Sequence, residues 1–237
     1  MPNIEVKGTI VSNDDAWIYD WCDIENTCPK KVKDALEKAN GEPVTIEINS
    51  GGGDVFAGNE IYYAIQAYRG QKTIDITGLA ASAATIVSCA GDTVRAVPGM
   101  EYMIHNVSTG AYGDYNEMNK TSEVLQNANK AISNIYKLKT GMSHEKLLKL
   151  MNEETWMDAE KAKEYGFIDE IIGDNGSDKD KPFTIYNAAA NVLSDSVKEK
   201  IRNAVKNPNG QKNTDSDFLM KQEQIKLLRM RGEIKHV

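Results

Sequence analysis

Acyl transfer needs a nucleophile, a base to take its proton and donors for the oxyanion. This chain offers a candidate for each. It has 3 histidines. His236 is next to last, and His144 follows Ser143, a capping residue, on a helix expected to be exposed. His105 instead closes Tyr102-Met103-Ile104, which reads as a parallel strand. Sites in open α/β sheets gather at the carboxyl ends of such strands. A histidine there is structural more often than catalytic, so its companions matter.

Ser82 is one companion. It sits between alanines where a strand passes into a helix. Free N–H groups and the positive end of the helix dipole would favour a developing oxyanion there. The plainer reading is an N-cap at a tightly packed helix start. The other companion is Ser50-Gly51-Gly52-Gly53, which also follows a strand and precedes a helix. Consecutive glycines could cradle a phosphate, but the spacing matches neither nucleotide-binding glycine motif. They could also form an oxyanion hole and a backbone edge for an extended peptide. Serine, histidine and glycine loop together lay out an acyl-transfer site. A carboxylate must orient His105, and Glu153, Glu154, Asp158 and Asp169 are candidates. Asp158 reads as a helix cap and Asp169 belongs with the last strand; spacing does not choose among the four.

The elements that position these residues follow from pattern. Ile4, Val6 and Thr9–Val11, a turn at Asn13-Asp14-Asp15, and Trp17-Ile18-Tyr19 read as a hairpin. A helix over Pro29–Asn40 stops at Gly41. Val44–Asn49 is a strand, followed by a helix from Phe56 towards Gly70. Thr73–Thr77, Thr93–Val97 and Tyr102–Ile104 are further strands, with a helix over Ala83–Ala90. The alternation predicts an α/β domain with a largely parallel sheet. A long polar helix over Asp114–Lys139 carries a narrow apolar stripe of Met118, Leu125, Ala128, Ile132 and Ile135. That stripe suits either this chain's own core or a seam against another subunit. Two short helices capped by Ser143 and Asp158 and a strand at Phe167–Ile172 complete the domain, 1–172. Residues 173–237 read as a polar linker and a partly helical tail, with a weak helix at Ser194–Val205 and an amphipathic stretch at Phe218–Ile234.

Composition sets limits. The chain has 237 residues, 41 % of them hydrophobic, and a formal net charge of -7. An acidic chain is a poor general nucleic-acid binder, so no nucleic-acid partner is expected. The cysteines, Cys22, Cys28 and Cys89, lack the spacing of a zinc site or a disulfide framework, and reduced thiols are expected. No metal or other cofactor is called for. The N-terminus has no signal-peptide pattern and the longest weakly polar run, Ile76–Gly91, is too short to span a bilayer. The expectation is a cytoplasmic protein without a membrane partner.

The motifs in combination resemble a known family. Ile48-Asn49-Ser50-Gly51-Gly52-Gly53-Asp54-Val55, Gly78-Leu79-Ala80-Ala81-Ser82-Ala83-Ala84, Met103-Ile104-His105-Asn106 and Glu154-Thr155-Trp156-Met157-Asp158-Ala159 occur in the order found in the proteolytic subunit of Clp protease. The similarity is closer to relatives encoded by phages and prophages, the head maturation (prohead) proteases. The resemblance implies a serine endopeptidase with Ser82 as nucleophile, His105 as base and Glu154 at the third triad position. It implies that Gly53 and Ala83 supply the oxyanion hole, with Gly52 beside them along the substrate backbone. It further implies a ClpP/crotonase-like spiral of β-β-α units, a protruding long-helix handle, and a homo-oligomeric ring. Polypeptide substrates follow, in particular capsid or scaffold protein in a host cytoplasm or procapsid. Two departures stand out: Clp subunits usually carry Asp at the position of Glu154 and Pro at that of Gly51. The extension after Gly173 also has no counterpart in the housekeeping subunit. The other readings are a housekeeping Clp subunit with an ATPase partner, a crotonase-fold acyl-CoA enzyme, and an inactive scaffold homologue.

Overall fold

The computed structural model describes residues 1–173, Leu193, 197–199 and 201–202. The expected amphipathic stretch at Phe218–Ile234 and most of the expected linker lie outside these residues.

Alternation of apolar and polar residues organises the centre of the domain. In β3 (Val44–Gly53) and β4 (Lys72–Ala81), Val44, Ile46, Ile48, Ile74 and Ile76 are fully buried, whereas Thr45, Glu47, Thr73 and Asp75 remain partly accessible. One face of the sheet therefore carries the core, and α2 (Pro29–Ala39), α3 (Val55–Ala67) and α4 (Ala83–Ser88) pack into that core. The opposite face is polar. There Arg95 makes a two-pronged contact with Asp75, at 2.7 and 2.8 Å.

Among the described residues the sheet has 8 strands, with the main path β2-β1-β3-β4-β5-β8. The flanking strands are β1 (Asn3–Ile10), β2 (Asn26–Thr27), β5 (Thr93–Ala96) and β8 (Glu170–Ile171). All these pairings are parallel. β4 is shared: Thr73–Ile76 pairs with β5, whereas Leu79–Ala81 pairs with β6 (Glu101–Ile104). β7 (Thr155–Met157), which the sequence pattern does not reveal, pairs antiparallel with β6.

The expected N-terminal hairpin is not formed. Trp17-Ile18-Tyr19 lies in a helix, α1 (Ala16–Trp21), and β1 pairs in parallel with β2 and β3. The cause is local. Ser12 Oγ and the Ser12 carbonyl both accept from the Asp15 N–H, and the same carbonyl accepts from Ala16, so the turn starts a helix. Neighbouring Ile18 and Tyr19 are both completely buried, which alternating strand geometry would forbid on a one-sided sheet. They form a second small core with Val11, Ala16, Ile24 and Cys28, and Leu193 completes it. The Leu193 N–H donates to Tyr19 Oη at 3.0 Å. Asp15 accepts from Lys198 Nζ at 3.0 Å and is also paired with Arg202.

The long helix is α5 (Tyr115–Thr140), opened by a capping box in which Asp114 and Glu117 satisfy each other's backbone N–H groups. Its two ends differ. Ile132, Ser133 and Tyr136 are buried, whereas Met118 and Val124 are exposed. The stripe thus meets this chain's own core only at its C-terminal end, and there the buried face is turned to include Tyr136. α6 (His144–Asn152) and α7 (Ala159–Glu164) follow, capped by Ser143 and Asp158 as their sequences imply. His144 is half-buried, its Nδ1 2.9 Å from Ser133 Oγ. Among the described residues there is no disulfide, no His/Cys/Asp/Glu cluster able to hold a metal, and no helix long and apolar enough to cross a membrane.

Candidate active site

Register brings the serine and the histidine together. The parallel pairing of β4 with β6 sets Ala81 beside Met103, and the Ser82 N–H extends the ladder to Met103 O at 2.9 Å. Residues just past this pairing emerge at the same sheet edge. Ser82 Oγ lies 2.8 Å from His105 Nε2. As the residue preceding α4, Ser82 makes no side-chain capping bond, so its hydroxyl serves the histidine and not the helix.

The turn that presents Ser82 is strained. Its φ of 55° and ψ of -124° are disfavoured for a residue with a Cβ. Such a conformation costs on the order of 1–3 kcal/mol and persists only where its surroundings hold it. Two bonds hold its carbonyl, from Thr85 N at 3.0 Å and Thr85 Oγ1 at 2.6 Å.

The glycine strand supplies close approach. A Cβ on Gly52 would lie 2.5 Å from Ala81 O and 2.8 Å from Ala83 N, so only glycine lets the β3 end touch the Ser82 turn. The Gly52 N–H donates to Ser50 Oγ at 3.0 Å. Gly52 is therefore a spacer between the two segments, its N–H engaged by Ser50. Gly53, with φ of 145°, lies against Ile10 O, 2.1 Å from where a Cβ would stand. Ala83 begins α4, where a helix leaves its first N–H groups without intrahelical acceptors. Gly53, Ala83, Ser82 and His105 line one small pocket of about 50 Å³, with Ile86, Ile132 and Tyr136. A larger groove of about 630 Å³ lies between α2 and α3, lined by Lys33, Glu37, Tyr63 and Arg69 among others; it holds no nucleophile–base pair.

The candidate carboxylates separate by contact. Asp158 accepts from Lys161 N at 2.8 Å as a helix cap. Asp169 accepts from Val94 N at 2.7 Å and from Lys139 Nζ. Glu153 is exposed and 3.9 Å from Lys149. Glu154 is the one whose charge acts on His105. Its Oε1 accepts from Trp156 Nε1 at 3.3 Å, and its φ is 48°. Burial lowers the pKa of His105 below its ordinary 6.5, and the Glu154 charge works in the opposite direction. The imidazole is thereby kept neutral and able to accept a proton near pH 7.

Sequence reasoning missed Thr85 and Tyr136. Thr85 lies three residues after Ser82 in a small-residue run and carries no motif. Tyr136 stands four residues after Ile132, a helical spacing that signals a shared face but no function.

A largely parallel sheet thus seats a serine hydroxyl on an imidazole at its strand ends, on a strained turn before a helix. A family model for Clp protease matches residues 30–175. The chain belongs to the Clp protease family. It is 35 % identical over 134 residues to an ATP-dependent Clp protease proteolytic subunit of Bacteroides fragilis, covering 56 % of this chain and 65 % of that protein. It is 33 % identical over 159 residues to subunit 1 from Chlamydia abortus, covering 62 % and 83 %. A solved structure of a ClpP1 mutant from Listeria monocytogenes superposes with a TM-score of 0.60 at 24 % identity, covering 74 % of this chain and 93 % of that one. The fold is thus ClpP-like.

Proposed function

We propose that this chain is a serine endopeptidase in which Ser82 is the nucleophile, His105 its general base and Glu154 the carboxylate that biases the imidazole. The observation that carries the reading is the 2.8 Å contact between Ser82 Oγ and His105 Nε2. The same contact favours acyl transfer through serine over an acyl-CoA reaction, which needs no such pair. In the Nδ1–H tautomer the Ser82 hydroxyl donates to Nε2. As Oγ bonds to the scissile carbonyl carbon, its proton passes to Nε2, and the carbonyl oxygen becomes an oxyanion facing the N–H groups of Gly53 and Ala83. The carbon–nitrogen bond then breaks, the leaving amine takes the proton from Nε2, and an acyl-serine remains. Water repeats the sequence and frees Ser82.

The substrate in this reading is a capsid or scaffold protein processed during phage head assembly. Gly51, Glu154 and the extension that packs Leu193 on the α1 core support it, because they set the chain apart from a housekeeping subunit. The second reading is a proteolytic subunit that works with an ATPase, and the similarity to proteolytic subunits of ATP-dependent Clp protease favours it. In both, copies assemble into rings, and the exposed N-terminal half of α5 suits a contact between copies. A fluorophosphonate probe, with the adduct located by peptide mass spectrometry, tests the chemistry. Labelling at Ser82 that is lost in His105→Ala is the expected result; an unlabelled, folded and assembled sample would refute the protease reading. Ser82→Ala should lower peptide turnover by about 10³-fold or more. Processing of capsid protein without ATP would favour the first substrate reading; degradation of folded proteins that requires an added Clp ATPase would favour the second.

A further inference from the structure

We infer that Tyr136 is a positioning residue: through the Thr85 hydroxyl, its phenol holds the Ser82 turn in its reactive geometry. This rests on Ser82 being the nucleophile. Tyr136 Oη lies 2.6 Å from Thr85 Oγ1, and Thr85 Oγ1 lies 2.6 Å from Ser82 O. The Ser82 carbonyl has no proton to give, so Thr85 donates to it. The single Thr85 hydroxyl proton is then used, and Tyr136 must donate to Thr85. The relay runs in one direction, from α5 through α4 to the backbone of the nucleophile.

Several features mark this relay as a brace. Thr85 is fully buried and Tyr136 is 2 % exposed, so water does not substitute for either partner. The Tyr136 ring is fixed edge-on against Phe167, with centroids 5.5 Å apart. Burial raises the Tyr136 pKa well above its ordinary value, which keeps the donor proton in place. At the receiving end stands a backbone that would relax if released, since Ser82 occupies a disfavoured conformation. Rotation of that carbonyl would swing Oγ away from His105. The same helix also holds the base, because Asn129 Oδ1 accepts from the Val107 N–H at 2.8 Å, two residues beyond His105. One face of α5 therefore grips both partners of the pair.

The rate constant for fluorophosphonate labelling, measured on the assembled protein with thermal midpoints alongside, tests the relay. Tyr136→Phe removes only the hydroxyl and should slow labelling about 10-fold, a modest share of what ~1 Å of misplacement costs. The pH at half-maximal rate should not move, because the His105 surroundings are untouched. Thr85→Val should be equally slow and also less stable, since it strands the buried phenol proton. Thr85→Ser keeps the hydroxyl and should restore fast labelling. The double variant Tyr136→Phe, Thr85→Val strands no donor, so its thermal midpoint should recover from that of Thr85→Val while its labelling stays slow. Labelling that recovers together with the thermal midpoint would show a structural role only and overturn the inference. So would a Tyr136→Phe protein that labels at the wild-type rate. An unlabelled wild type would instead sink Ser82 as nucleophile, and the relay with it.

Discussion

Glu154 acts on His105 through charge, while its Oε1 accepts a hydrogen bond from the Trp156 indole N–H at 3.3 Å. A carboxylate bonded to the imidazole would fix both its tautomer and its direction. A carboxylate held beside it as a charge does less, and solvent screens an exposed one. In the proposed mechanism the Ser82–His105 contact therefore carries most of the geometry, and Glu154 tunes it.

Glu154→Gln should accordingly be mild. We expect labelling of Ser82 to slow by about 10-fold, well short of the ~10⁴-fold seen where the carboxylate is bonded to the histidine. Removing the negative charge also removes the influence that raises the His105 pKa. The acid limb of the pH–rate profile should move to lower pH. A limb that stays in place would show that Glu154 does not act on His105.

The pH dependence of the wild type has a definite sign. In the proposed mechanism neutral His105 is the reactive form, and burial holds its pKa below 6.5. The labelling rate should fall only on acidification past that value, with its midpoint below 6.5. Stability follows the same group. Above 6.5 the imidazole is neutral in both folded and unfolded chains and contributes nothing. As pH falls, the unfolded chain takes up the proton first, so stability declines until the folded His105 is protonated too. Urea titrations across this window, on wild type and His105→Gln, should show the decline only in the wild type.

Gly52→Ala tests the close approach of β3 to the nucleophile turn. The new Cβ would meet backbone atoms, Ala81 O at 2.5 Å and Ala83 N at 2.8 Å, at a φ of 87°. Backbone strain alone costs roughly 1–3 kcal/mol, and moving the turn would cost more. A lower thermal midpoint together with lost labelling is expected. Wild-type labelling in this variant would show that the turn tolerates displacement.

Leu193→Ala tests the attachment of the C-terminal segment to α1. Leu193 is 6 % exposed within a small cluster, and truncating such a residue costs about 2–5 kcal/mol. The Asp15 pairs with Lys198 and Arg202, in which Asp15 and Lys198 are largely shielded from water, remain in this variant, so the test weighs the apolar packing of Leu193 against them. Hydrogen exchange at the residue-193 amide, bonded to Tyr19 Oη in the wild type, should rise sharply. Unchanged protection would mean that the ion pairs suffice.

Some of this was legible from residues in order. Strand, turn and helix signals are local, so the run from Val44 to Ile104 reads directly as alternating strands and helices. Ser82 and His105 could be singled out because each ends a strand next to a strong break in pattern. Caps at Ser143 and Asp158 depend on bonds spanning three residues and were equally readable. Tertiary structure decided the rest. Ile18 and Tyr19 form a helix because a second core accepts both side chains, and Leu193, far away in sequence, completes that core. Glu154 is set apart from Glu153 by the antiparallel pairing of β6 with β7, whose short strand carries no pattern of its own. Tyr136 reaches Thr85 only because α5 folds back over α4. Local hydrogen-bonding preferences write the elements into the sequence; which side chains meet across the core depends on register and packing between segments that no local pattern encodes.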